Sequence, residues 1–307
     1  MPNWVTNIVQ IKCPNGNAEQ VKKFVEGERG CFDFEKIVPP PPTMNMVSGS
    51  LTDQAIVAYI SDNCTLVLDD DLIESANAIV PTLGSRVKRS YDGTKDIIKK
   101  DGADKLYNFG TSDKLMLTLY DAGKIYCENF MTYGAIDWYD FNCNNWGTKW
   151  NACEACLIDE SPTELSYQFE TAWSMPFPIF CKLTEIFRDI TVLVEYADED
   201  FGSNCGRIEF SNGSDIDCYI PDDYKEAQEL AAEILGYDLT SDLLYSEKLG
   251  HYVWADYLEE AEAEYDEAMA KKAAKEGSEK SAEEKSKEAT EESSLELETE
   301  GGAILTF

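Results

Sequence analysis

The sequence predicts an α+β fold, a mainly antiparallel sheet with helices on one face. Three observations carry the prediction. Leu165, Tyr167 and Phe169 alternate with Ser166, Gln168 and Glu170, the period of two of a half-buried strand. Val5, Ile8, Val9 and Ile11, and later the run Val192-Leu193-Val194, each adjoin a helical pattern, giving strand–helix–strand units. Ile208 and Phe210 lead through Ser211-Asn212-Gly213-Ser214 to Ile216, Cys218 and Ile220, and Asn-Gly favours a tight hairpin turn.

In chain order, Val5 to Lys12 is closed by the turn signal Cys13-Pro14-Asn15-Gly16. Asn17 with Gln20 resembles a capping box, and Val21, Phe24 and Val25 form an apolar helical face ended by Gly27 and Gly30. Phe32-Asp33-Phe34-Glu35-Lys36-Ile37-Val38 reads as a strand, stopped at Pro39 to Pro42 because proline cannot continue a ladder. A helix is expected around Asp53 to Ser61, with further helical patterns near Leu72–Val80 and Asp96–Leu106, separated by Pro81, Gly84 and Gly93. Residues 53–125 are therefore read as a helical insertion. Ile179, Leu183 and Ile186 lie at helical spacing within Phe177 to Phe187, and Pro176 and Pro178 suit a helix start.

Beyond Pro221 the pattern turns helical. Tyr224 to Leu235 is one amphipathic segment. Trp254, Tyr257, Leu258, Ala261, Tyr265, Ala268 and Met269 recur at three- and four-residue steps and predict a second. Acidic residues fill its first turns and Lys271, Lys272 and Lys275 its end, which complements the helix dipole. Such a stripe packs on its own domain, on a second copy or on a partner, so Trp254, Tyr257, Leu258 and Tyr265 are candidate partner-binding residues. From Gly277 the composition falls to Glu, Lys, Ser, Ala and Thr, too little apolar surface to offset chain entropy. The expected organisation is a sheet domain over 1–221, a helical extension over 222–276 and a disordered acidic tail over 277–307. The terminal Ala303-Ile304-Leu305-Thr306-Phe307 is expected to be an unstructured end.

The balance of 26 Lys+Arg against 59 Asp+Glu gives a formal net charge of -33. Such a surface repels phosphate backbones and anionic membranes, which disfavours direct nucleic-acid binding. No segment approaches the about 18 consecutive apolar residues of a membrane span. Met1-Pro2-Asn3-Trp4 lacks a basic region followed by an apolar run, so a cytoplasmic location with reduced thiols is expected.

Chemistry-bearing patterns are sparse. The single His251 cannot build a multi-histidine site and is read as a packing or helix-start residue. Asp137 and Asp140 offer either a cation-binding or acid–base pair, or acceptors for neighbouring indole and backbone donors; the second is expected. Cys153-Glu154-Ala155-Cys156 has the spacing of half a zinc site, but a second pair is missing, and buried thiols are expected. No cofactor, no metal and no enzymatic activity follow from these patterns.

Four of the six tryptophans fall in two islands, Tyr133–Trp150 and Phe169–Pro176. Trp138, Trp146, Trp150 and Trp173 have the makings of a base-stacking platform, which also needs a positive groove. Their neighbours are Asp137, Asp140, Glu154 and Glu170, so core packing is expected instead.

These islands, with Pro2-Asn3-Trp4-Val5-Thr6-Asn7, resemble the YubB-type ferredoxin-like proteins of tailed phages and conjugative plasmids. The matching residues are Phe32-Asp33-Phe34, Ile37 and Pro39, Asn145 to Ala152, Phe169, Thr171 to Ser174, Tyr196, Phe201 and Gly202. Met175 stands where the family often has Pro, and Val5 where it has Cys. The resemblance covers roughly residues 1–45 and 125–210. It implies a ferredoxin-like fold and no catalytic residues. Trp138, Asp140, Asn145, Trp146, Gly147, Lys149, Trp150, Thr171 and Trp173 are then its structural signature.

Together these readings predict a non-enzymatic phage or plasmid accessory protein that binds and inhibits a host protein through its acidic surface. A defence nuclease with a basic groove is the expected kind of partner, and self-association through the helical extension is also compatible. The alternative is an RNA- or ssDNA-binding factor using the sheet, with Arg86, Lys88, Arg89, Lys95, Lys99 and Lys100 as its basic stripe.

Overall fold

The computed structural model describes residues 3–61, 70–79 and 82–275. The chain divides into two compact units, Met1–Leu235 and Gly236–Phe307. The tail over 277–307 lies outside the described residues.

The first unit opens with β1 (Trp4–Lys12), α1 (Ala18–Val25), α2 (Phe34–Ile37) and a 3-10 turn at Pro42–Met44. A helical insertion follows: α3 (Ser50–Ile60), α4 (Asp70–Ile79), α5 (Leu83–Asp101), the short strands β2 (Tyr107–Asn108) and β3 (Met116–Leu117), α6 (Leu119–Tyr133) and α7 (Trp138–Asn145). The chain then returns to the sheet with β4 (Cys153–Ser161), β5 (Glu164–Ala172), α8 (Phe177–Ile186), β6 (Thr191–Asp198), β7 (Gly206–Ser211), β8 (Ser214–Tyr219) and α9 (Tyr224–Leu235).

The sheet has the order β4-β5-β1-β6-β7-β8 and is antiparallel throughout. Two interleaved split βαβ units generate its first four strands, with β1 between β5 and β6. Val5, Val9 and Ile11 face α1 and α8 with Leu165, Tyr167, Phe169, Val192 and Val194, all buried. This inner face is the main core, as period-two alternation requires. At the β7–β8 hairpin, Asn212 and Gly213 both have positive φ, 52° and 88°, the conformation that a two-residue turn demands.

Several local expectations are corrected. Phe32–Val38 is not a strand: the Asp33 carboxylate accepts from the Glu35 N–H at 3.0 Å and starts α2, so Phe32 and Phe34 are both buried. Asn17 makes no side-chain cap; its amide donates to Asp189 instead. Gly84 and Gly93 do not break the insertion, because α5 runs through both. Helices also cover both faces of the sheet. Ala227, Leu230, Ala231 and Ile234 of α9 pack with Ala197 and Ile8, the side of β1 and β6 opposite the main core. That contact sets α9 inside the first unit.

The insertion has a core of its own, in which Ile56, Leu83, Val87, Tyr91, Phe109 and Tyr126 are buried together. The Tyr126 hydroxyl donates to the Val47 carbonyl at 2.7 Å.

In the second unit, β9 (Leu243–Ser246) and β10 (His251–Trp254) form a hairpin, a 3-10 turn spans Ala255–Tyr257, and α10 runs over 258–275. The predicted stripe is therefore not one helical face. Trp254 is a strand residue stacked edge-on to Tyr237, Tyr257 lies in the turn, and Leu258 and Tyr265 lie on α10. The β-forming run Tyr252-Val253-Trp254 after the left-handed Gly250 outweighs the helical spacing. Trp254, Tyr257 and Tyr265 are exposed. His251 also sits in β10, with a ring nitrogen 3.0 Å from the Tyr252 carbonyl oxygen.

Candidate functional site

The signature residues gather at the corner where α7, the loop after it and the end of β5 meet. Trp146 is buried, its indole N–H donating to the Val38 carbonyl at 2.9 Å and its ring edge-on to Phe34. Gly147 has φ +78°, and a Cβ there would meet the Pro178 ring at 2.7 Å. Asn145 caps back onto the Phe141 carbonyl, and buried Thr171 donates to the Ser174 carbonyl while accepting from the Asn7 amide. These contacts lock the corner.

Asp137 and Asp140 are spent locally. The Asp137 carboxylate accepts from the Tyr139 and Asp140 N–H groups as the N-cap of α7, and Asp140 accepts from the Ile136 N–H. Burial raises the Asp137 pKa against those bonds. Cys153 and Cys156 lie on β4, where a register shift separates them, and each thiol sits against a backbone carbonyl. Among the described residues no group of three His, Cys, Asp or Glu side chains is placed to hold a metal ion. Burial pushes thiols up, Cys13 to about 11 and Cys127 to about 12, which leaves them protonated and weakly nucleophilic.

The other tryptophans do not enter the core. Trp138 and Trp150, with one edge of buried Trp146, line a cleft of about 740 Å³ together with Pro40, Pro41 and Pro42. Arg29 at its edge is neutralised by Glu35 at 3.0 Å. Trp150 packs on Trp4 with ring centroids 5.7 Å apart. The Lys149 ammonium lies over three rings, 4.5 Å from Trp150, 5.2 Å from Trp173 and 6.0 Å from Tyr139. This is a cation–π cluster filled from within the chain.

Trp173 is 43% exposed and has φ +71°, a conformation that bulky residues rarely adopt. Its N–H donates to the Asn3 carbonyl and its carbonyl accepts from the Asn204 amide. Four described non-glycine residues have positive φ, and Trp173, Asn204 and Glu154 are three of them. Asn204 also donates to Asp198, next to Glu199, which accepts from the Trp4 N–H at 3.1 Å.

Glu170 lies on the outer face of the sheet, in register with Thr6 and Cys153; Glu154 follows Cys153 at an irregularity of β4 and Glu199 follows the end of β6. Burial, then Glu154 and then Glu199 hold the Glu170 carboxyl above the usual carboxylate range. None of the three carboxylates joins an ion pair among the described residues. This outer-face cluster had no signal in the sequence, because its members belong to three separated segments.

A ferredoxin-like α+β protein is the class that this strand order and core define. Residues 145–238 match the family described as "Ferredoxin-like domain in Api92-like protein". Among solved structures, the chain is similar to the protein api92 of Yersinia pseudotuberculosis at 11% identity, over 73% of this chain and 99% of that one, with a TM-score of 0.36. A likeness at that level carries no functional argument. No curated protein matches the chain.

Proposed function

We propose that this chain is a non-enzymatic accessory protein of the YubB-type phage and plasmid kind, which binds and inhibits a basic host protein. A defence nuclease with a basic groove is the partner class that fits best. The observation that carries this reading is the acidic charge around Glu170, whose carboxyl feels Glu154 and Glu199 and which, like them, joins no ion pair among the described residues. Eleven described lysine and arginine side chains are already paired within the chain, from Lys22 with Glu160 to Lys271 with Glu267. The net charge of -33 is thus left for an external partner, giving fast and salt-sensitive association.

The nucleic-acid alternative calls for cations on the sheet. Its basic stripe lies instead on α5, where Arg86 is paired with Asp53 at 2.6 Å and Lys95 stands over the Tyr91 ring. Affinity capture from host lysate at low and high salt tests the proposal. Salt-sensitive recovery of a basic host protein is expected; no specific partner across defended hosts would overturn it.

A further inference from the structure

We propose that the cleft lined by Trp138, Asn142 and Pro40 to Pro42 is a binding site for a neutral pyranose sugar. The inference is independent of the acidic surface and of the host partner proposed above. The cleft lies wholly within the first unit and holds about 740 Å³, inside the range of about 300–1,000 Å³ that small-molecule sites occupy. Three features of its lining select the ligand.

The first is an unmet acceptor. Asn142 sits on α7 with 7% of its surface exposed, and its amide donates to the Lys149 carbonyl at 2.9 Å. No donor among the described residues reaches its Oδ1, and the residue lines the cleft. A buried carboxamide oxygen left unpaired is costly, so this atom calls for a donor from the cleft. Asn151, in the same lining, offers the converse. Its Oδ1 accepts from the Phe34 and Ala152 N–H groups, one amide hydrogen goes to Asp33, and the other is left over. An acceptor and a donor in one cleft suit hydroxyl groups, each of which both donates and accepts.

The second feature is the apolar wall. Among the described residues no cation stands over Trp138, whereas Trp150 already carries the Lys149 ammonium. Pro40, Pro41, Pro42 and buried Met44 extend the apolar lining, and the prolines bring no backbone donor to it. One side of a pyranose ring is a patch of C–H groups, which packs on an indole and leaves the hydroxyls at its rim for the carboxamides.

The third feature is charge. Arg29 and Glu35, the charged side chains of the lining, are paired with each other at 3.0 Å and cancel. A phosphorylated or carboxylated ligand finds no unpaired cation among the lining residues and meets a protein of net charge -33. A proline-rich peptide has too few N–H groups to serve Asn142.

The test titrates the full chain by calorimetry with the methyl pyranosides of glucose, galactose, mannose and N-acetylglucosamine. Glucuronate, cyclohexanol and a short proline-rich peptide are run beside them. At least one pyranoside is expected to bind with a Kd on the order of 1 mM, the scale set by its number of non-hydrogen atoms. Glucuronate and cyclohexanol are each expected to bind at least about tenfold more weakly, the first for its charge and the second for its missing hydroxyls. Trp138→Ala and Asn142→Leu are each expected to weaken the pyranoside by about tenfold, with unchanged circular dichroism. Tyr133→Ala removes an exposed ring outside the lining and is expected to change Kd by less than about twofold. If Asn142→Leu fails to fold, Trp138→Ala decides.

The absence of any pyranoside Kd below about 10 mM overturns the site. Cyclohexanol binding as tightly as the sugar, or equal weakening by Tyr133→Ala, also overturns it. Tighter binding of the proline-rich peptide than of every pyranoside makes the cleft a peptide groove and overturns the sugar. None of these outcomes bears on the capture of a basic host protein.

Discussion

On the inner face of the sheet, Val5, Val9, Ile11, Tyr167 and Phe169 are buried against α1 and α8. On the outer face of the same strands, Trp4, Thr6 and Glu170 are only partly covered, and α9 shields one side alone. The strands are identical, so the difference lies in what each face buries. Stability resides in the inner face, where close-packed apolar residues surround the hydrogen-bonded pair Asn7 and Thr171. The outer face holds Glu170, whose carboxyl is held up by burial and by Glu154 and Glu199, and at the end of β5 Trp173 sits exposed with left-handed backbone, features that cost stability.

The sharpest break of this comparison is Phe169→Ala. Phe169 packs against Phe32 and Phe34 at centroid distances of 5.0 and 5.7 Å, and truncation is expected to cost about 3–5 kcal/mol in denaturant unfolding. Gly147→Ala comes next, at about 2 kcal/mol, because it adds left-handed strain to the clash with Pro178. Both should lower the melting temperature; an inner-face variant that binds poorly while melting normally would blur the division.

On the outer face the expected order is reversed. Trp173→Gly should be more stable than Trp173→Ala by about 1 kcal/mol, since glycine tolerates the positive φ; thermal melts of the pair check this. Glu170→Gln should stabilise the protein at neutral pH by less than about 1 kcal/mol. The sign follows from linkage. Glu170 binds its proton more readily folded than unfolded, so its contribution falls as pH rises above the usual carboxylate range. The gain should vanish in acid, where the carboxyl is protonated in both states; a gain unchanged with pH would exclude crowding by Glu154 and Glu199. The smallest effect is Lys149→Met, about 0.5 kcal/mol with altered tryptophan emission, the scale of an exposed cation–π contact.

Much of the inner face was legible beforehand. The alternation of Leu165, Tyr167 and Phe169, the Asn212-Gly213 turn and the spacing of Ile179 and Leu183 each describe one residue's relation to near neighbours, and local rules suffice for them. Reading failed where a side chain competed with the pattern. Asp33 turned a strand-like run into the start of α2, and the β-formers after Gly250 removed Trp254 from its helical stripe. Trp173 is the most instructive case. Continuing the alternation through Thr171 points it inward, yet its positive φ swings the indole out. Nothing in composition separates it from buried Trp146.

The apolar period of the strands, the hairpin turn and the net charge of -33 are legible in the chain alone. Each is a property of residue types or of close neighbours. Which tryptophans face outward, and that Glu154 and Glu199 act on Glu170, depends on contacts between distant segments. These glutamates follow or belong to β6, β5 and β4, and the order β4-β5-β1-β6 brings them together around β1. Charge has no period along the chain, so only the strand order could bring Glu154 and Glu199 close enough to act on Glu170.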